Sequence, residues 1–204
     1  MKFKLLEPYI PMFASGLAVT AQVTAASLLL AFALGALIAV GKVLPFRPLR
    51  AALDFYTSIF RGVPLIVLLF IAYFATPQLT GYKIGMFTAA VLTLGLNGSA
   101  TVSETLRGGI EGVDAGQYDA ARSVGLSYAK MMRLVVIPQA LRSVAPALVN
   151  EVITVLKSSS LVSTIGLMDM MYAAESAKEN QHLHAECSGS ATISLEVTTE
   201  IYQI

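Results

Sequence analysis

The chain has 204 residues, 55% hydrophobic and 13% charged, with a formal net charge of +1, and its mean hydropathy is +0.69. That excludes an ordinary soluble domain, which carries about twice that charged fraction. The balanced charge and the lack of a basic cluster leave no footprint for nucleic acid, and the single Cys187 excludes an intrachain disulfide framework.

Apolar runs set the topology, because a spanning helix needs roughly 20 mostly apolar residues. Lys2 and Lys4 resemble the basic start of a signal peptide, but Pro8 and Pro11 follow, and the apolar run is far longer than the ~7–15 residues of a cleavable one. It reads as a retained first span over 17–40. Further spans are expected over about 55–75, 84–106 and 145–167, the last interrupted by Glu151 and Lys157. No internal repeat or low-complexity linker divides residues 1–178, which read as one all-α integral membrane domain. Lys42, Arg47 and Arg50 follow span one, and Arg107, Arg122, Lys130, Arg133 and Arg142 follow span three. Lys2, Lys4, Lys83 and Lys178 fall on the other side. The excess of positive charge makes the first two groups cytoplasmic and puts the N-terminus outside.

Polar residues inside the spans carry the functional signal. A charge at the bilayer centre costs about 2.5–3.5 kcal/mol on insertion scales, so it faces a cavity or a partner. At 100° per residue, Thr93, Asn97, Thr101 and Glu104 share one stripe of span three. Asn150, Glu151, Thr154, Lys157 and Ser158 share an arc of roughly 120° in span four, with Val149, Val152, Ile153 and Leu156 opposite. These residues are candidates for a translocation path. The bland alternative is interhelical bonding, typically ~0.6–2 kcal/mol per bond. Arg61 joins the candidates, although a place near the cytoplasmic end of span two would let it snorkel to the headgroups. Ala31, Gly35 and Ala39 form a small-residue stripe for close helix packing. Thr20, Thr24 and Ser27 share a face that should bond backbone or neighbouring helices.

Residues 108–142 are too long for a plain connector of ~2–8 residues. Gly108, Gly109, Gly112 and Gly116 suggest a loop, then Tyr118 to Val124 a short helix ended by Gly125. Ser127 suits the N-cap of a second helix to Val136, and Pro138 marks a break before a third. Such an elbow is either an amphipathic pair lying on the membrane or a knob on which a soluble partner docks.

Asp119-Ala120-Ala121, Gly125 and Ile137-Pro138 resemble the "EAA" loop of bacterial ABC importer permeases, with Asp for Glu and Ile-Pro for Leu-Pro. Phe60 to Leu65, Asn97 to Gly109 and Leu156 to Leu161 are similar to the polar amino-acid (histidine/glutamine-type) branch. The resemblance covers roughly residues 12–178. It implies a type I ABC importer transmembrane domain in the bacterial inner membrane, here with about four visible spans where the family usually has five. It also implies a second permease subunit, an ATP-binding cassette ATPase docked on the elbow, a periplasmic binding protein and a polar amino acid as cargo. The chain has no Gly-x4-Gly-Lys-Ser/Thr phosphate loop, so energy must come from a partner. No cofactor, metal site or enzymatic activity is expected. A stand-alone channel or secondary transporter would leave the elbow unexplained and should show inverted repeats. A membrane enzyme would need a nucleophile–base or metal cluster within the spans, yet the only histidines are His182 and His184.

Residues 179–204 depart from the family. They are polar, no window is apolar enough to span, and Ile193, Leu195 and Val197 alternate as in a weak strand. The departure points to a frameshifted or otherwise altered end. His182, His184 and Cys187 lack a fourth ligand for a zinc site.

Overall fold

The computed structural model describes residues 10–44 and 46–179, which are helical throughout apart from short connections and contain no strand. The polar segment 180–204, with its expected strand and its His and Cys residues, lies outside the described residues, as do Lys2 and Lys4. Helix α1 (Ile10–Val43) is followed by α2 (Arg47–Gly62), α3 (Leu65–Phe70) and α4 (Thr76–Thr80). Then come α5 (Met86–Glu111), α6 (Ala115–Ser123), α7 (Tyr128–Met131) and α8 (Ile137–Ser158), a 3-10 segment (Ser159–Ile165) and α9 over 170–179.

Among the described residues, three helices are long and apolar enough to cross a membrane: α1, α5 and the continuous run Tyr128–Ile165; the bent pair α2 with α3–α4 would be a fourth. At the centre, α5 packs on α1, α2 and α8. A side-chain carbon on Gly95 would meet Leu30, and one on Gly35 would meet Val102 at 2.7 Å, so α1 and α5 run parallel and nearly touch. The small-residue stripe makes this contact, with Ala31, Gly35 and Ala39 all buried. Helix α8 runs the other way: Gly109 lies against Ala140 and Val144, and Gly98 against Glu151 and Val155.

Several sequence expectations are corrected. The second span, expected as one helix over 55–75, bends by 103° between Gly62 and Leu65. Pro64 has no N–H to continue α2 and drives the preceding Val63 into an extended conformation, φ −96° and ψ 133°. Gly108 and Gly109 are not loop: α5 runs through them to Glu111, because Gly109 is where α8 presses closest. The short helix starts at Ala115, earlier than Tyr118, since Asp114 accepts a bond from the Gly116 N–H at 2.8 Å and caps it. Pro138 does not break the chain. A π-helical turn, Met132–Val136, widens the ladder just before it and absorbs the ring. The same device, Ile71–Ala75, precedes Pro77.

Helix α9 has no counterpart in the sequence reading. Asp169, 1% exposed, accepts a bond from the Tyr172 N–H at 2.9 Å and caps the helix. The Met170 N–H donates to Thr20 Oγ1 at 3.1 Å, tying this segment to α1. Thr20 thus makes the expected neighbour contact; Thr24 and Ser27 are buried with no hydrogen-bond partner among the described residues.

Candidate functional site

The elbow is built around a helix end. Helix α6 stops because Gly125 adopts φ +75°. In that conformation the Gly125 N–H donates to Arg122 O at 2.9 Å and the Leu126 N–H to Ala121 O at 3.1 Å, closing a Schellman motif. Ser127 occupies the N-cap of α7 as expected, though its side chain makes no cap bond. Ala121, Met131 and Val136 are buried together, flanked by Ile110, Tyr118 and Leu126. The Tyr118 hydroxyl donates to Ile110 O at 3.0 Å, and Gln139 Nε2 to Gln117 Oε1 at 3.1 Å. Burial pushes the Tyr118 phenol up, aided by nearby Tyr128, so it remains a donor. Helix α6 is therefore pinned to the end of α5 and the start of α8. Its outer side is free: Ala120 is exposed, and the Asp119 side chain is 77% exposed, with Arg122 only at 4.0 Å. Ile137 and Pro138, at the start of α8, are exposed as well.

The path candidates separate into three places. Glu104 belongs to an ion cluster that the sequence reading missed. Lys42 Nζ, fully buried, contacts Glu104 and lies 2.9 Å from Asp54 Oδ1 and 2.7 Å from Thr57 Oγ1. Arg107 lies 2.8 Å from Glu104 and 2.8 Å from Glu111. The cluster joins the ends of α1 and α5 to the middle of α2. Lys42 reads in sequence as a juxtamembrane positive charge, and only the need of Glu104 for a partner hinted at it.

Arg61 and Asn97 lie at the helix break. Asn97 Nδ2 donates to Phe60 O at 2.5 Å, satisfying a carbonyl that the end of α2 leaves free. Tyr56 Oη donates to Leu96 O at 3.0 Å. Asn97 is eleven residues past Met86 and fourteen before Glu111. The end of α2 therefore meets α5 at Asn97, and the adjacent Arg61 is exposed.

The third place is α8. Glu151 is half-buried towards Gly98, whereas Asn150, Thr154 and Lys157 are exposed and Ser158 partly so. Among the described residues Glu151 and Lys157 form no ion pair. The opposite flank is equally bare, with Val149 61%, Ile153 44% and Leu156 49% exposed. An apolar flank suits lipid, but a bare polar flank at membrane depth needs water or protein beside it. No three of His, Cys, Asp and Glu group as metal ligands among the described residues.

A helix bundle with helices long and apolar enough to cross a membrane, a bent helix pair, a polar flank on α8 and a pinned elbow has the architecture of a multi-pass transport permease. Residues 12–193 match the family described as binding-protein-dependent transport system inner membrane component, and the chain belongs to that family. The match runs past Lys178 into the polar segment. The chain is 44% identical over 177 residues to the arginine transport system permease protein ArtQ of Bacillus subtilis, covering 87% of this chain and 81% of that protein. It is 39% identical over 168 residues to the putative glutamine transport system permease protein GlnP of Rickettsia bellii, covering 82% and 77%. Among solved structures, an amino acid ABC transporter crystallised with histidines superposes with a TM-score of 0.84 at 38% identity, covering 89% of this chain and 85% of that one. The MetNI methionine ABC transporter, inward facing, superposes at 0.66 and 23% identity over 78% and 77%, a likeness of fold. The fold is that of a type I ABC importer transmembrane domain. The chain is an importer permease subunit and not an enzyme.

Proposed function

We propose that this permease carries a polar amino acid inward across the bacterial inner membrane, with its N-terminus outside. A periplasmic binding protein delivers the cargo, and an ATP-binding cassette ATPase docks on α6. The names of the relatives, arginine and glutamine permeases, support an amino acid as the cargo. The observation that carries the reading is the elbow. Its outer surface offers Asp119 and Ala120 to a partner while Ala121, Tyr118 and Gln117 grip the ends of α5 and α8 behind. A push on α6 is thereby delivered to both helices as a rigid displacement between two packings.

A second permease subunit would cover the bare polar flank of α8. Asn97, Asn150, Glu151, Thr154, Lys157 and Ser158 then line the path, with Lys157 attracting the cargo carboxylate and Glu151 its ammonium. Glu104 sits in the ion cluster that holds the cytoplasmic end of the same bundle.

The test is co-purification of the detergent-solubilised chain with its ATPase. The native chain should retain the ATPase and Gly125→Asp should lose it; equal retention by both refutes docking on the elbow. Asp119→Asn should uncouple ATP hydrolysis from uptake, and an unchanged uptake rate would remove that role.

A further inference from the structure

A second polar surface lies away from the α8 flank. Arg47, Arg50, Asp54, Ser58 and Arg61 recur every three or four residues along α2 and so share one of its faces. Between this face and α5 lies a polar crevice of about 360 Å³ that reaches from Arg61 to Arg50, Glu104 and Arg107. At 1.5 Å per residue, Arg50 to Arg61 is about 16 Å of helix. Tyr56 and Phe60 meet Leu96 and Asn97, while Lys42 and Thr57 meet Glu104, so α2 runs antiparallel to α5. The crevice therefore runs along α2 from Arg61 to Arg50 and faces Glu104 and Arg107 near the end of α5.

The charges in it are unequally matched. Glu104 has Lys42 and Arg107, and Arg107 also has Glu111. Asp54 gives Oδ1 to Lys42 at 2.9 Å, while its Oδ2 has only Arg50 at 3.9 Å and its side chain is 51% exposed. Arg61 is exposed and has no ion-pair partner among the described residues. An exposed guanidinium with no carboxylate beside it is free to take an anion. Its planar fork suits a carboxylate.

We propose that this crevice is the cytoplasmic half of the translocation route, and that Arg61 at its inner end holds the α-carboxylate of the passing amino acid while Asp54, two turns along, receives the ammonium. Both signs in one wall favour a zwitterion over an anionic lipid headgroup. The inference rests on the importer reading, which already counted Arg61 among the path candidates, and adds Asp54 and an exit between α2 and α5.

Ser58 lies between Asp54 and Arg61 in the crevice, so it can report occupancy. In the assembled complex carrying Cys187→Ser, Ser58→Cys should react with a small aqueous thiol reagent. Saturating L-arginine or L-histidine should slow that reaction about tenfold when present at ten times its dissociation constant. Agmatine and histamine, which lack the carboxylate, should not. Arg61→Gln should abolish the protection and Arg61→Lys should keep part of it, with the ATPase co-purifying in both cases as proof of assembly. Arg61→Gln should also lower uptake in proteoliposomes by roughly tenfold or more, the loss of one charge-assisted contact. Equal protection by agmatine, protection that survives Arg61→Gln, or protection only by anionic lipid would overturn the proposal. If the native complex takes up amino acid while Ser58→Cys is never protected, the crevice fails and the importer reading stands; no ATP-dependent uptake at all would sink both.

Discussion

Lys42 and Lys157 both stand in the last turn of an apolar helix, and the fold treats them oppositely. Lys42 is fully buried between Asp54, Thr57 and Glu104. Lys157 stands exposed, with no carboxylate beside it among the described residues. A lysine sealed among partners holds helices together; one left open can be removed without breaking a contact, and the proposed path gives it the cargo to meet.

The contrast breaks most sharply on stability. Lys42→Met should destabilise the protein by about 1.5–3 kcal/mol, because Glu104 loses a charge-assisted contact and keeps only Arg107. Thermal unfolding in detergent measures it, and adding Glu104→Met should restore much of the loss. No loss in the single variant would mean that the cluster is not structural.

Next come the glycines of α5. A side-chain carbon on Gly109 would lie 2.4 Å from Val144 Cγ1, whereas one on Gly108 would meet nothing within 4 Å. Gly109→Val should therefore cost about 1–3 kcal/mol through overpacking, with partial recovery on adding Val144→Ala. Gly108→Val should be close to neutral by the same unfolding measurement, and equal effects would refute the packing role. At the elbow, Gly125→Ala should cost about 1–2 kcal/mol, since φ is +75° there. Limited proteolysis between α6 and α7 should accelerate. Smallest on stability is Lys157→Met, expected within about 0.5 kcal/mol of the native chain, while uptake falls. A large loss of stability would move Lys157 into the class of Lys42.

Much of the fold was legible because its causes are local. Uninterrupted apolar runs announced α1 and α5, and spacing by four announced the contact of Ala31, Gly35 and Ala39. Gly125 announced the end of α6, since only glycine takes a left-handed conformation without strain. The elbow residues were legible for the same reason. The proposed path was legible only as polar arcs, whose partners the sequence does not reveal.

Tertiary structure decided the rest. Lys42 and Glu104 are 62 residues apart, and no periodicity pairs them; the parallel contact of α1 with α5 does. Pro64 and Pro138 look alike as breakers, yet one gives a 103° bend and the other a π-helical turn inside a continuous helix, according to what packs around each. The end of α2 gained its place against α5 from the Asn97 bond to Phe60. Local chemistry determined which segments are helices and where they end. Which charges are sealed and which stay open depended on helices that meet only after the chain has folded.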